Sequence, residues 1–208
     1  MELSMKLKKS GTKHTPIFIM AHGAGAPMDS DWMNQLTNEL VSREIQVVRF
    51  EFPYMEERRL NGKKRPPNTK KVLLESWQKV IKKVRQNSPK SPIFIGGKSM
   101  GGRIAGLIAD QVKPEGFIAL GFPFHAPGKA PGERIENLKN LRTKTLIIQG
   151  TRDTMGTREE CLSYPLSKKI QFKWLEDGDH SWKPRQKSGH TLEEHMQTAA
   201  DTIKNFIG

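Results

Sequence analysis

Short apolar runs recur along the chain at residues 16–21, 45–50, 92–96, 116–120, 145–149 and 170–175. They are rich in Ile, Val and Phe, and near-continuous apolarity of this length suits strands covered on both faces. Between the runs the pattern changes to a helical period. Residues 31–43 place Trp32, Leu36, Leu40 and Val41 on one face. Residues 69–86 do the same with Val72, Leu73, Trp77, Val80, Ile81 and Val84, opposite a solvent face of Lys70, Lys71, Lys79, Lys82 and Lys83. Residues 100–112 are apolar nearly all round, which predicts a well-buried helix, and residues 191–207 bring Leu192, Met196, Ala199 and Ile203 into register.

Strand–helix alternation over the whole length predicts an α/β fold. Its core is expected to be a mostly parallel sheet of about six to seven strands, flanked by helices and joined by right-handed crossovers. One weak extra strand is expected near residues 3–7. No internal repeat or linker divides the chain, so a single domain over residues 1–208 is expected. In such sheets ligands bind beyond the carboxyl ends of the strands. Two long connections follow strands, at residues 52–68 and 122–134. Their Pro and Gly content predicts loops that rim a pocket on that face.

Composition narrows the function classes. The net charge is +13, but the basic residues are spread along the chain without interleaved aromatic rings. A solvated basic surface is therefore expected rather than a nucleic-acid platform. Cys161 is the sole cysteine, which excludes an intrachain disulfide and a thiolate zinc cluster; a small, partly buried side chain is expected there. Lys6, Lys8, Lys9 and Lys13 precede the apolar run at 17–21, but that run is shorter than a secretory core and is interrupted by His22-Gly23. No membrane span and a cytoplasmic location are expected.

The strongest chemical signal is Gly97-Lys98-Ser99-Met100-Gly101, a G-x-S-x-G pattern between an apolar run and an apolar helix. Small neighbours allow a sharp strand-to-helix turn that exposes the serine hydroxyl at a helix N-terminus, where developing negative charge is stabilised. Gly97-Lys98-Ser99 also copies the end of a phosphate-binding P-loop. That motif needs a glycine at position 92, where Pro92 stands, and residues 93–95 read as strand. His22-Gly23-Ala24-Gly25 follows the first clear strand, where a hydrolase loop donates a backbone N–H to an oxyanion. Ala24 is the expected donor, alongside Met100. A dinucleotide fingerprint would need a third glycine at position 28, which is Met28.

A carboxylate and a base should follow later strands. Asp153 comes in the turn after residues 145–149, and His180 follows residues 170–175. Asp177 and Asp179 are weaker candidates, being too near His180 to occupy a separate strand end. The order Ser99, Asp153, His180 is that of a strand-end nucleophile, acid and base. His22, Tyr54 and His125 are candidate substrate contacts. His190 and His195 open the last helix without zinc-motif spacing, and His14 is uninformative. Arg58, Arg59, Lys63, Lys64 and Arg65 fall in the first long connection. They raise the idea of a preference for acidic esters, although a mobile charged loop explains them more simply.

These residues bring a family into view. The chain resembles the small α/β-hydrolases of the dienelactone-hydrolase-like group, and most of all the compact subgroup related to testis-expressed and chromatin-complex hydrolase-like proteins. The likeness rests on His22-Gly23-Ala24-Gly25-Ala26, Phe52-Pro53-Tyr54, Gly97 to Arg103, Gly121-Phe122-Pro123-Phe124-His125, Gln149 to Asp153 and Asp179-His180-Ser181. It implies an α/β-hydrolase fold without a cap domain, a triad of Ser99, Asp153 and His180, and an oxyanion hole at Ala24 and Met100. Dienelactone hydrolase itself uses cysteine where this chain has Ser99. The expected function is a serine hydrolase acting on a small-molecule carboxylic ester or related acyl bond through an acyl-enzyme, with no metal or organic cofactor. The alternative is a hydrolase fold retained as a non-catalytic scaffold.

Overall fold

The computed structural model describes residues 6–12 and 16–208. Its strands are β1 (Leu7–Ser10), β2 (Ile17–Ala21), β3 (Gln46–Phe50), β4 (Ile93–Lys98), β5 (Gly116–Leu120), β6 (Thr145–Gly150) and β7 (Ile170–Leu175). Its helices are α1 (Asp31–Val41), α2 (Pro53–Asn61), α3 (Lys70–Asn87), α4 (Met100–Val112), α5 (Glu136–Lys139), α6 (Arg158–Ser163) and α7 (Leu192–Ile207). The strands form one seven-stranded sheet in the order β1-β3-β2-β4-β5-β6-β7. β1 runs antiparallel to β3, and every other pairing is parallel. This is the α/β-hydrolase fold, with no separate cap domain among the described residues.

The weak strand expected near residues 3–7 falls mostly outside the described residues; the observed edge strand starts at Leu7. Buried strands β2, β3, β5 and β6 match their continuous apolar runs. β7 is different. It lies at the sheet edge and is only partly covered, with Phe172 and Trp174 stacked on each other at 4.9 Å.

Two apolar layers sandwich the sheet. One joins Trp77, Val80 and Ile81 of α3 to Ile104 and Ile108 of α4. The other joins Leu36 and Leu40 of α1 to Met196, Ala199 and Ile203 of α7. Burying each of the Val, Leu, Ile and Met side chains stabilises by about 1.5–3 kcal/mol. β2 has β3 on one side and β4 on the other, so the strand order reverses between β2 and β4. A crevice opens beyond the strand ends at such a reversal. The His22-Gly23-Ala24-Gly25 segment and Ser99 both emerge there.

The connection at 52–68 is not a plain loop. Residues 53–61 form α2, because Pro53 occupies its first turn and Tyr54 and Met55 are buried against the core. Gly62, at φ 69°, ends the helix by donating its N–H to the Arg58 carbonyl at 2.8 Å. The Pro and Gly that suggested a loop are start and stop residues of a helix. Among the described residues, no helix is long and apolar enough to cross a membrane.

Candidate active site

Ser99 sits between β4 and α4 with φ 49° and ψ −117°, a conformation that non-glycine residues rarely adopt. The surrounding structure enforces it. A Cβ on Gly97 would lie 2.2 Å from the Ala21 carbonyl oxygen, and one on Gly101 would lie 2.5 Å from that of His22. Only glycines let strand, turn and helix approach so closely.

The Ser99 hydroxyl lies 2.9 Å from His180 Nε2, and His180 Nδ1 lies 2.7 Å from Asp153 Oδ2. Three segments far apart in sequence thus meet at the carboxyl ends of β4, β6 and β7. Asp153 is fully buried, and its carboxylate also accepts from Gln149 Nε2 at 2.9 Å and the Met155 N–H at 2.9 Å. Burial pulls the His180 pKa below its ordinary 6.5; the Asp153 hydrogen bond opposes this and the Lys98 charge reinforces it. A neutral imidazole between a carboxylate and a hydroxyl can carry its proton on Nδ1 and take another at Nε2.

Asp177 and Asp179 do other work. Asp177 pairs with Arg152 and Arg185, which hold its carboxyl down to about 2. Asp179 Oδ1 accepts from the N–H groups of Ser181 and Lys183, folding the turn that carries His180. His195 is buried on α7, with Nδ1 2.6 Å from the Trp182 carbonyl oxygen, so it braces the same turn from behind.

A cavity of about 750 Å³ opens over Ser99, with Ala24, Trp32, Met33, Leu73, Met100 and His180 among its walls. Met100 is the first residue of α4, so its N–H has no intrahelical acceptor. Ala24 shares the wall. The second long connection does rim the cavity, through Pro123, Pro127 and Arg134.

The three candidate substrate contacts stand behind the cavity rather than on it. His22 is fully buried; its Nε2 accepts from the Phe52 N–H at 3.2 Å, and its Nδ1 lies 2.6 Å from the Gly23 carbonyl oxygen. Burial lowers its pKa, in keeping with this neutral form. The Tyr54 hydroxyl donates to the Ala24 carbonyl at 3.0 Å. Both residues therefore fix the backbone around Ala24. His125 is buried against its own loop, with Nδ1 3.0 Å from the Ala126 carbonyl oxygen and Nε2 3.6 Å from Glu160. His14 lies outside the described residues. Cys161 is buried, and burial raises its thiol pKa, so it stays protonated. Gln149 was not foreseen. It is the penultimate residue of β6, where a glutamine after an apolar run is the signal that marks it, and it ties Asp153 to both Phe122 and Gly156. Among the described residues, no group of three or more His, Cys, Asp or Glu side chains is placed to hold a metal ion.

A family model described as an alpha/beta hydrolase domain matches residues 14–208. The chain belongs to the alpha/beta hydrolase domain family. Solved hydrolase structures share this fold. An alpha-beta serine hydrolase homologue from Coxiella burnetii superposes with a TM-score of 0.73 at 16% identity, covering 97% of this chain and 90% of that one. Dienelactone hydrolase from Anabaena variabilis gives 0.74 at 17% identity, with 98% and 93% covered. A monoacylglycerol lipase from Paleococcus ferrophilus gives 0.68 at 14% identity, with 98% and 100% covered.

Proposed function

We propose that the protein is a serine hydrolase of carboxylic esters or related acyl bonds, working as one domain through an acyl-enzyme on Ser99. The observation that carries this reading is the hydrogen-bonded series Ser99, His180, Asp153, with Ser99 and His180 lining an open cavity and Asp153 buried behind them. His180 Nε2 takes the Ser99 proton as Oγ attacks the substrate carbonyl carbon. The resulting oxyanion is held by the N–H groups of Met100 and Ala24, each worth about 3 kcal/mol in comparable sites. Collapse breaks the carbon–oxygen bond, and the leaving alkoxide receives the proton from His180. Water repeats the sequence on the acyl-enzyme and releases the acid. Asp153 fixes the tautomer and stabilises the imidazolium.

The lipase and dienelactone hydrolase neighbours favour an ester or lactone substrate. The motif set quoted above supports a place in the dienelactone-hydrolase-like group, in the compact subgroup related to testis-expressed and chromatin-complex hydrolase-like proteins, with Ser99 where dienelactone hydrolase uses cysteine. A fluorophosphonate probe tests the reading. Covalent labelling of the wild type that is lost in Ser99→Ala supports it. A folded wild type that takes no label and hydrolyses no ester would instead be a scaffold.

A further inference from the structure

Arg103 and Arg134 line the same cavity as Ser99. Arg103 lies in the first turn of α4, just after Ser99, and its N–H donates to the Ser99 carbonyl at 2.9 Å. Arg134 comes from the far end of the connection that follows β5, where its own N–H donates to the Phe124 carbonyl at 2.9 Å. Among the described residues, neither guanidinium has a carboxylate within ion-pair distance. Other arginines do: Arg43 meets Asp201 at 2.6 Å, Arg59 meets Glu51 at 2.6 Å and Arg152 meets Asp177 at 2.9 Å.

Three further facts make the pair unusual. Among the described residues, no Asp or Glu lines the cavity, while Lys70 and Lys98 add cationic groups to it. Arg103 stands early in α4, where the helix dipole disfavours a cation, and no acidic residue occupies that first turn. Burial lowers the Arg103 pKa, and the charge of Arg134 lowers it further, with Glu133 only partly offsetting them. Two mutually repelling, half-buried cations beside apolar walls are a cost to the unliganded protein. An anion between them would remove that cost, because a guanidinium fork matches a carboxylate or phosphate group.

We propose that the cavity selects an ester whose acyl part carries an anionic group, carboxylate or phosphate, held by Arg103 and Arg134 while the carbonyl lies over Ser99. This rests on Ser99 being the nucleophile. It also moves the recognition of acid from the α2 region, where the sequence suggested it. There Arg58 donates to the Gly25 carbonyl at 3.0 Å, Arg59 pairs with Glu51 and Asp29, and Arg65 pairs with Glu57 at 3.3 Å.

The test compares nitrophenyl hemiglutarate with nitrophenyl pentanoate, which has the same chain length and no charge, on the full-length protein. A third ester carries a phosphonate in place of the carboxylate and identifies which anion the pair holds. The wild type should prefer an anionic ester at least tenfold in kcat/KM, mainly through KM, with the preference shrinking as salt rises. That preference should collapse in both Arg103→Met and Arg134→Met, while both variants still take the neutral fluorophosphonate label at Ser99. Equal wild-type rates on charged and neutral esters, or an unchanged ratio in both labelled variants, would overturn the proposal and leave the nucleophile intact. Absence of labelling and of all ester hydrolysis in the folded wild type would overturn both.

Discussion

The Lys98 ammonium donates a hydrogen bond to the backbone carbonyl of His180. The residue preceding the proposed nucleophile is thus fastened to the turn that carries the proposed base. Space for this comes from Gly121, at φ 65°, where a Cβ would lie 2.8 Å from Nζ and 2.9 Å from the His180 oxygen. Trp32 joins the arrangement: its ring centre lies 5.4 Å from Nζ, and its Nε1 donates to the Ser181 carbonyl at 3.0 Å. Burial pushes the Lys98 pKa down to about 8, with Asp153 and Asp179 opposing.

Lys98→Met should therefore disturb both position and charge. Hydrogen bonds from charged donors contribute about 1.5–3 kcal/mol, so kcat should fall by roughly tenfold or more. The Lys98 charge lowers the His180 pKa. Its removal raises that pKa, and the acidic limb of the pH–rate profile should move to higher pH. An unchanged profile with unchanged kcat would remove Lys98 from the mechanism.

The pH dependence of the wild type follows from His180 itself. Its pKa is lowered, chiefly by burial, so the neutral base persists below the ordinary 6.5. Activity should rise with pH through that lowered value and be level by neutrality. Folding stability carries the same sign. The unfolded chain takes up the proton first as pH falls below 6.5, so the contributions of His180 and the similarly shifted His22 are lost toward acid. Urea midpoints measured from pH 7 to pH 5 should decline; a rise would contradict the buried neutral imidazoles.

Asp153→Asn keeps the shape of the site and changes its proton inventory. Asparagine can no longer fix His180 with its proton on Nδ1, and the opposing contribution to the His180 pKa disappears. In the comparable triad change, kcat falls about 10⁴-fold. The same order of loss is expected here in steady-state hydrolysis, with the urea midpoint moving far less than the rate. A loss below tenfold would show that the 2.7 Å contact does not orient the base.

The sheet was legible because parallel strands leave continuous apolar runs, and the segments that follow them carry Ser99, Asp153 and His180, which the structure brings within hydrogen-bond distance. What was hidden depends on tertiary contact. The charged residues Glu56, Glu57, Arg58 and Arg59 mask α2, whose buried side chains are only Tyr54 and Met55 and whose arginines are held by the tertiary partners Gly25, Glu51 and Asp29. His22 and Tyr54 carried the right neighbourhood but the wrong surface: they touch the loop from behind. Arg103 and Arg134 come from different elements, and no spacing in the sequence reveals that one cavity joins them.

Tyr54→Phe isolates the support behind Ala24. The change removes one hydroxyl that donates at 3.0 Å and leaves the ring's packing, so the stability cost should be about 1 kcal/mol. If that hydroxyl holds the Ala24 N–H in place, kcat should fall several-fold while KM for a neutral ester stays near its wild-type value. A change confined to KM would instead return Tyr54 to a substrate-contact role.

Gly102→Ala sets two magnitudes against each other. Within a helix, alanine is favoured over glycine by about 1 kcal/mol, so propensity alone predicts a more stable α4. A Cβ at position 102, however, would lie 2.4 Å from the Gly97 carbonyl oxygen, which is backbone and cannot rotate away. Helix and strand would have to separate, and overpacking of this kind typically costs about 1–3 kcal/mol. The clash should win: Tm should fall, and kcat should fall with it because Ser99 sits between the two displaced segments. Gly25→Ala, where an added Cβ meets nothing within 4 Å, should leave Tm unchanged in the same thermal melts. A higher Tm for Gly102→Ala would mean that the elbow does not depend on this close approach.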